Sequence, residues 1–122
     1  MKHRLFKQND LKSEDWDEQY YKYCEFNGLD MYGLDIGSDF VSCEFINVEW
    51  YWGLFNISNF MQCKFTNCVF RGTSFSGCRF VECEFLDCNF VKDNLGSGCS
   101  FSDSIDYGSK VINCTGYGVR KG

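Results

Sequence analysis

Proline is absent from this chain of 122 residues, and histidine occurs once, at His3. Without proline, the turns fall to glycine, asparagine, aspartate and serine, which reach left-handed backbone angles or bond their own backbone. One histidine at position 3 leaves no nucleophile–histidine–acid constellation, and with no Cys-x-x-Cys pair a zinc site is disfavoured. No apolar run approaches the roughly 18 residues that span a bilayer. The first ten residues carry charge but no apolar segment of a secretory signal. A cytoplasmic protein without a membrane partner is expected. The net charge of −5 disfavours direct contact with nucleic acid. The nine cysteines, an odd number, read as thiols in a reducing compartment rather than as a disulfide framework. Gly96-Ser97-Gly98 lacks the Lys-Ser/Thr that completes a phosphate cradle, and the Glu82/Glu84 pair has no evident pocket. No enzyme, no cofactor and no metal is expected.

Aromatic residues, by contrast, make up 19% of the chain, with 13 Phe. They recur every fifth position: Phe40, Phe45, Trp50, Phe55, Phe60, Phe65, Phe70, Phe75, Phe80, Phe85, Phe90, then Leu95. Two residues before each stands a mostly small residue, including Ser38, Cys43, Val48, Gly53, Ser58, Cys63, Cys68, Thr73, Cys78, Cys83 and Cys88. A period of five matches neither a helix (3.6) nor a strand (2). It predicts a coil that turns a corner every five residues, with the large and the small residue inside. Ten Phe and one Trp from Phe40 to Phe90 would then stack into the core, a cluster that one repeat alone could not close. The beat starts earlier, at Phe6, Leu11, Trp16, Tyr21, Phe26, Met31 and Ile36. It loses one residue at Gly37-Ser38 and gains one around Gly96-Ser97-Gly98. Glycine suits such slips because it adopts backbone angles that other residues resist.

Repeats such as Met61-Gln62-Cys63-Lys64-Phe65, Ser76-Gly77-Cys78-Arg79-Phe80 and Val81-Glu82-Cys83-Glu84-Phe85 resemble the pentapeptide-repeat family over roughly residues 24–119. The resemblance implies an all-β fold, a right-handed quadrilateral β-helix with four repeats per square turn. Here that means four to five coils. Residues 1–23 are expected as an N-terminal cap or irregular first coil, with a short helix from Ser13 as the competing reading. Residues 24–119 form the β-helix and 120–122 a tail.

Function then has to lie on the outside. The residue after each aromatic points outward, and sorting by twenties sets Val41, Met61 and Val81 in one column. Ile46, Thr66 and Leu86 form a second, and Tyr51, Arg71 and Val91 a third. Asn56, Ser76 and Gly96 make a polar fourth. Val41, Ile46, Tyr51, Trp52, Ile57, Met61, Val81, Leu86 and Val91 are therefore the candidate interface, since exposed apolar patches mark binding sites. Between Asp10 and Asp39 nine acidic residues face only Lys12 and Lys22, and Glu14, Asp15, Asp17 and Glu18 form the candidate acidic patch for a basic partner. The expected function is a non-catalytic protein-binding module, in the form of an immunity or protective factor against a bacterial toxin or for a target enzyme. The resemblance adds an alternative, a DNA mimic of the quinolone-resistance type that binds type II topoisomerase (gyrase). Lys64, Arg71, Arg79 and Lys92 interrupt any acidic stripe for that role. A homodimer acting as a scaffold is the third reading.

Overall fold

The computed structural model describes residues 3–122 and consists almost wholly of short parallel strands on four faces of a square tube. The first face stacks Leu5–Phe6, Glu25–Asn27, Glu44–Ile46, Lys64–Thr66, Glu84–Leu86 and Lys110–Ile112. The second holds Asp30–Tyr32, Glu49–Tyr51, Val69–Arg71 and Asn89–Val91. The long strand Asp35–Val41 turns the next corner. Its start pairs with Leu54–Asn56 on the third face, and its end pairs with Asn59–Met61 on the fourth. Ser74–Ser76 and Ser100–Ser102 continue the third face. Asp17–Lys22, Arg79–Val81, Ile105–Tyr107 and Arg120–Lys121 complete the fourth. The fold class expected from the period of five is the one found, with about four turns.

The register follows from the stacked rings. Phe40 pairs with Phe60, Phe45 with Phe65, Trp50 with Phe70 and Phe55 with Phe75. Their centroids lie 5.1, 4.7, 4.5 and 5.0 Å apart and the planes are nearly parallel. All the core rings from Phe40 to Phe90 are buried. Each such pair adds about 0.5–1.5 kcal/mol beyond the area it hides.

The small inner position has a second role. Cys63 Sγ donates to the Phe40 carbonyl at 3.3 Å, Cys68 to Phe45 at 3.2 Å and Cys83 to Phe60 at 3.2 Å. Ser38 and Ser58 donate in the same way to Trp16 and Ile36. Each thiol or hydroxyl therefore serves the backbone of the coil before it, which a small apolar residue could not do.

Corners need left-handed backbone, and most fall on Ser42, Asn47, Gln62, Asn67, Gly72, Gly77 and their equivalents. Bulky residues also stand there, Tyr23 at φ 57°, Trp52 at φ 56° and Ile57 at φ 54°. A β-branched residue there is strained by about 1–3 kcal/mol. Asn67 Nδ2 donates to Asn47 Oδ1 at 2.7 Å, so side chains tie neighbouring corners too.

Two irregular coils interrupt the twenties. Tyr21 pairs with Phe40, a coil of 19 residues, because the chain drops one residue at Gly37. Phe75 pairs with Phe101, a coil of 26 residues. The gain expected near Leu95 is thus six residues rather than one. Leu95 leaves the inner row and is 80% exposed, and Cys99 takes the inner small position, with its thiol donating to Phe70 O. Leu95 imitates the beat only because it stands five places after Phe90. Ser102, not Gly96, continues the column of Asn56 and Ser76.

At the N-terminal end Phe6, Leu11, Trp16 and Tyr21 are buried and form an extra layer over the core. A short 3-10 helix spans Gln8–Lys12, and Ser13 closes it instead of opening a helix. Gln8 accepts from Asp30 N and donates to Asp30 O, so its amide caps the edge of the second face. At the other end Asp106 sits over Phe80, where the row changes from the rings of Tyr21, Phe40, Phe60 and Phe80 to a carboxylate. It is buried and accepts from Ser109 N at 3.0 Å and from the Tyr117 hydroxyl at 2.5 Å. The Tyr117 ring lies over Phe85 and Phe90, and the strand Arg120–Lys121 adds to the fourth face beside Ile105.

Candidate protein-binding surfaces

The candidate interface residues are not gathered on one plane. Val41, Met61 and Val81 lie in register on the fourth face and run on to Tyr107. Ile46, Thr66 and Leu86 lie on the first face and run on to Ile112. Tyr51, Arg71 and Val91 lie on the second face, opposite the fourth, and begin with Tyr32. Polar corners such as Ser42 and Gln62, or Asn47 and Asn67, separate the columns. Val41, Ile46, Tyr51, Val81, Leu86 and Val91 are half-buried by their neighbours, whereas Trp52, Ile57 and Met61 are exposed.

The second face differs from the others because the inserted segment, residues 92–99, leaves the tube there. It is braced by side chains. Trp52 Nε1 donates to Asp93 Oδ2 at 2.8 Å, and the other Asp93 oxygen accepts from Leu95 N and Ser97 N. Asn94 N donates to the Tyr51 hydroxyl at 3.1 Å. Hydrogen bonds from the loop backbone and from Trp52 hold the Asp93 carboxyl below its usual range. Gly72, at φ 58°, leaves the room, since an added methyl would stand 2.8 Å from Asp93 Cβ. Tyr51 packs edge-on against both Trp52 and Tyr32. Leu95, which nothing in the periodic pattern marks as special, becomes the exposed tip beside the half-exposed Trp52.

The acidic patch divides. Glu14 turns inward, accepting from Arg4 at 3.1 Å and from the Tyr21 hydroxyl at 2.6 Å. Burial and that bond push the Tyr21 phenol far above its ordinary pKa. Asp15, Asp17 and Glu18 stay exposed and are joined by Asp35 and Asp39 at the corner of the third and fourth faces. There the one-residue slip at Gly37 leaves a groove of about 570 Å³, lined by Asp17, Glu18, Tyr20, Asp39, Asn56 and Ile57 among others. Along the first face the acids alternate with lysine, as Glu44, Lys64, Glu84 and Lys110 stand in register.

For chemistry, no group of three His, Cys, Asp or Glu among the described residues is arranged to hold a metal ion. His3 stacks on Tyr23 at 5.0 Å. Burial pushes the Cys24, Cys78, Cys99 and Cys114 thiols up, and only Cys99 and Cys114 are partly exposed. Within the ladder, burial and its thiol neighbours raise Cys63. Cys43 and Cys83 are drawn down by hydrogen bonds from Cys63. No helix among the described residues is long and apolar enough to cross a membrane.

Comparison with known proteins agrees with the resemblance drawn from the repeats. The family model described as pentapeptide repeats (8 copies) matches residues 58–92. No curated protein matches the chain. Among solved structures, trypsin-treated QnrB1, a plasmid-mediated fluoroquinolone resistance protein, is similar at a TM-score of 0.44 and 12% identity. The match covers 91% of this chain, which spans 64% of the length of that one.

Proposed function

We propose that this pentapeptide-repeat β-helix is a non-catalytic protein-binding module that works by occupying a partner's surface, in the manner of an immunity or protective factor. The observation that carries the reading is the braced loop on the second face. A tube built on twenties departs from its rule by six residues, and the departure is pinned by Trp52, Asp93 and Tyr51 while it presents Leu95 to solvent. Loops held by a rigid scaffold are where binding residues concentrate. A pre-ordered loop also loses less entropy on binding than a free one. Trp52 and Leu95 supply the apolar anchor that interface hot spots require.

The topoisomerase reading has less support. It calls for continuous acid along the rod, and the first face alternates acid with lysine. A self-association reading is separated by mass. Light scattering during gel filtration at tens of micromolar should give a monomer, and a dimer that Leu95→Asp dissociates would favour the scaffold. The test of the main reading is crosslinking from the native host with the wild-type chain and with the Trp52→Ala/Leu95→Asp pair. The wild type should capture one protein that the double variant loses. Equal capture by both would overturn the assignment of the surface.

A further inference from the structure

We propose that the groove at the corner of the third and fourth faces docks an extended segment of a partner protein that carries lysine or arginine alternating with apolar residues. The proposal deepens the protein-binding reading and rests on it, but it concerns a surface separate from the loop.

Six carboxylates border the groove and its continuation toward the N-terminal end; Glu14 is engaged by Arg4, and the other five are Asp15, Asp17, Glu18, Asp35 and Asp39. No lysine or arginine among the described residues stands within ion-pair distance of any of these five, although Arg4 pairs with Asp10 and Glu14, and Arg71 with Glu49. Among the described residues these carboxylates therefore have no ion-pair partner, and a basic segment complements them. The groove is more than a charged rim. Its floor exists because residue 37 has no side chain. An added methyl would meet Asp17 Oδ1 at 2.7 Å and the Asn56 carbonyl at 3.3 Å. Tyr20, 45% exposed, and Ile57, 70% exposed, line it as apolar contacts. Trp16, 6% exposed, lines the continuation. A peptide brings both complements: cationic side chains and apolar side chains.

The test is binding of fluorescent peptides of about eight residues, read by anisotropy. The wild-type chain should bind an alternating arginine–leucine peptide better than arginine–glycine and should ignore glutamate–leucine. Asp17→Asn/Glu18→Gln should weaken binding about fivefold, and raising salt from about 0.05 to 0.5 M should weaken it further. Ile57→Asn should weaken it too while folding at least as well, since asparagine tolerates the left-handed corner. Trp52→Ala/Leu95→Asp should leave peptide binding unchanged, so a failure of the loop surface and a failure of the groove give different results. The proposal is overturned if the acidic double variant binds equally, if no peptide binds at about 1 mM, or if spermine competes as well as the peptide does. Spermine competition of that strength would mean general attraction of cations rather than docking.

Discussion

Replacing Phe70 by alanine should remove a large share of the protein's stability, and replacing Phe101 should not. Phe70 is fully buried, sandwiched between Trp50 and Phe90 at 4.5 Å on both sides, with Phe65 and Phe75 at its edges. The tube cannot collapse into the gap, because the strands above and below are held in register by backbone bonds. The loss should therefore sit at the upper end of the range for buried Phe→Ala, about 4–5 kcal/mol. A chain of this size has about 6–18 kcal/mol in total, so about a fifth of it or more depends on one ring in the middle. Phe101 stacks on one side only, on Phe75 at 5.4 Å, with Phe90 and Tyr117 at its edges, and is partly exposed near the end. Its loss should cost about 1–2 kcal/mol. Guanidinium unfolding followed by far-ultraviolet circular dichroism measures both. The difference between the two sites is the informative quantity, since stability in a solenoid is shared between neighbouring coils. Equal losses, or less than about 1 kcal/mol at Phe70, would refute the picture of stacked rings supporting one another.

Three other outcomes are expected. Tyr21 and Tyr117 are held protonated in the fold, above all by burial and then by Glu14 and Asp106. The folded chain then binds more protons than the unfolded one once pH exceeds the ordinary phenol value of about 10. Stability is full below that pH and falls as pH rises beyond it, and Tyr117→Phe should flatten the fall in melts run between neutral and alkaline pH. Asp93→Ala should release the 92–99 loop, since it removes the acceptor for Trp52, Leu95 and Ser97. Limited proteolysis should then cut that loop first while the dichroism spectrum stays unchanged. With a thiol reagent under native conditions, Cys99 and Cys114 should react before the seven buried cysteines, which should become reactive only on unfolding.

Much of the fold was legible because its code is local. Five-residue spacing names the inner aromatic and its small partner without knowledge of the rest of the chain, and every ring from Phe40 to Phe90 is where the spacing puts it. The beat at Phe6, Leu11, Trp16 and Tyr21 marked the first layer even though its small partners are wrong. The failures arise where the chain leaves the repeat. Leu95 keeps the count by coincidence and so concealed an insertion of six residues. Asp106 occupies a ring position as a carboxylate, and what makes that tolerable is a hydroxyl eleven residues away at Tyr117.

The candidate surfaces were harder to read for the same reason. Trp52 attracted notice as an apolar residue, but its partner Asp93 lies 41 residues on and two coils away. Glu14 looked like one acid among several, and only the fold shows it engaged by Arg4 and Tyr21. Asp35 and Asp39 join Asp15, Asp17 and Glu18 because a coil one residue short draws the corner inward at Gly37. Periodicity reports where a side chain sits on its own coil. It does not report which distant side chains an irregular coil brings beside it.

The claim that binding belongs to the irregular parts of the outer surface can be tested by placing a photo-crosslinking amino acid at position 95, 57 or 102 and illuminating the protein in its native host. Positions 95 and 57 should each crosslink to a discrete protein, whereas position 102, exposed on the plain polar third face, should not. Equal crosslinking from all three positions, or from 102 alone, would contradict the assignment.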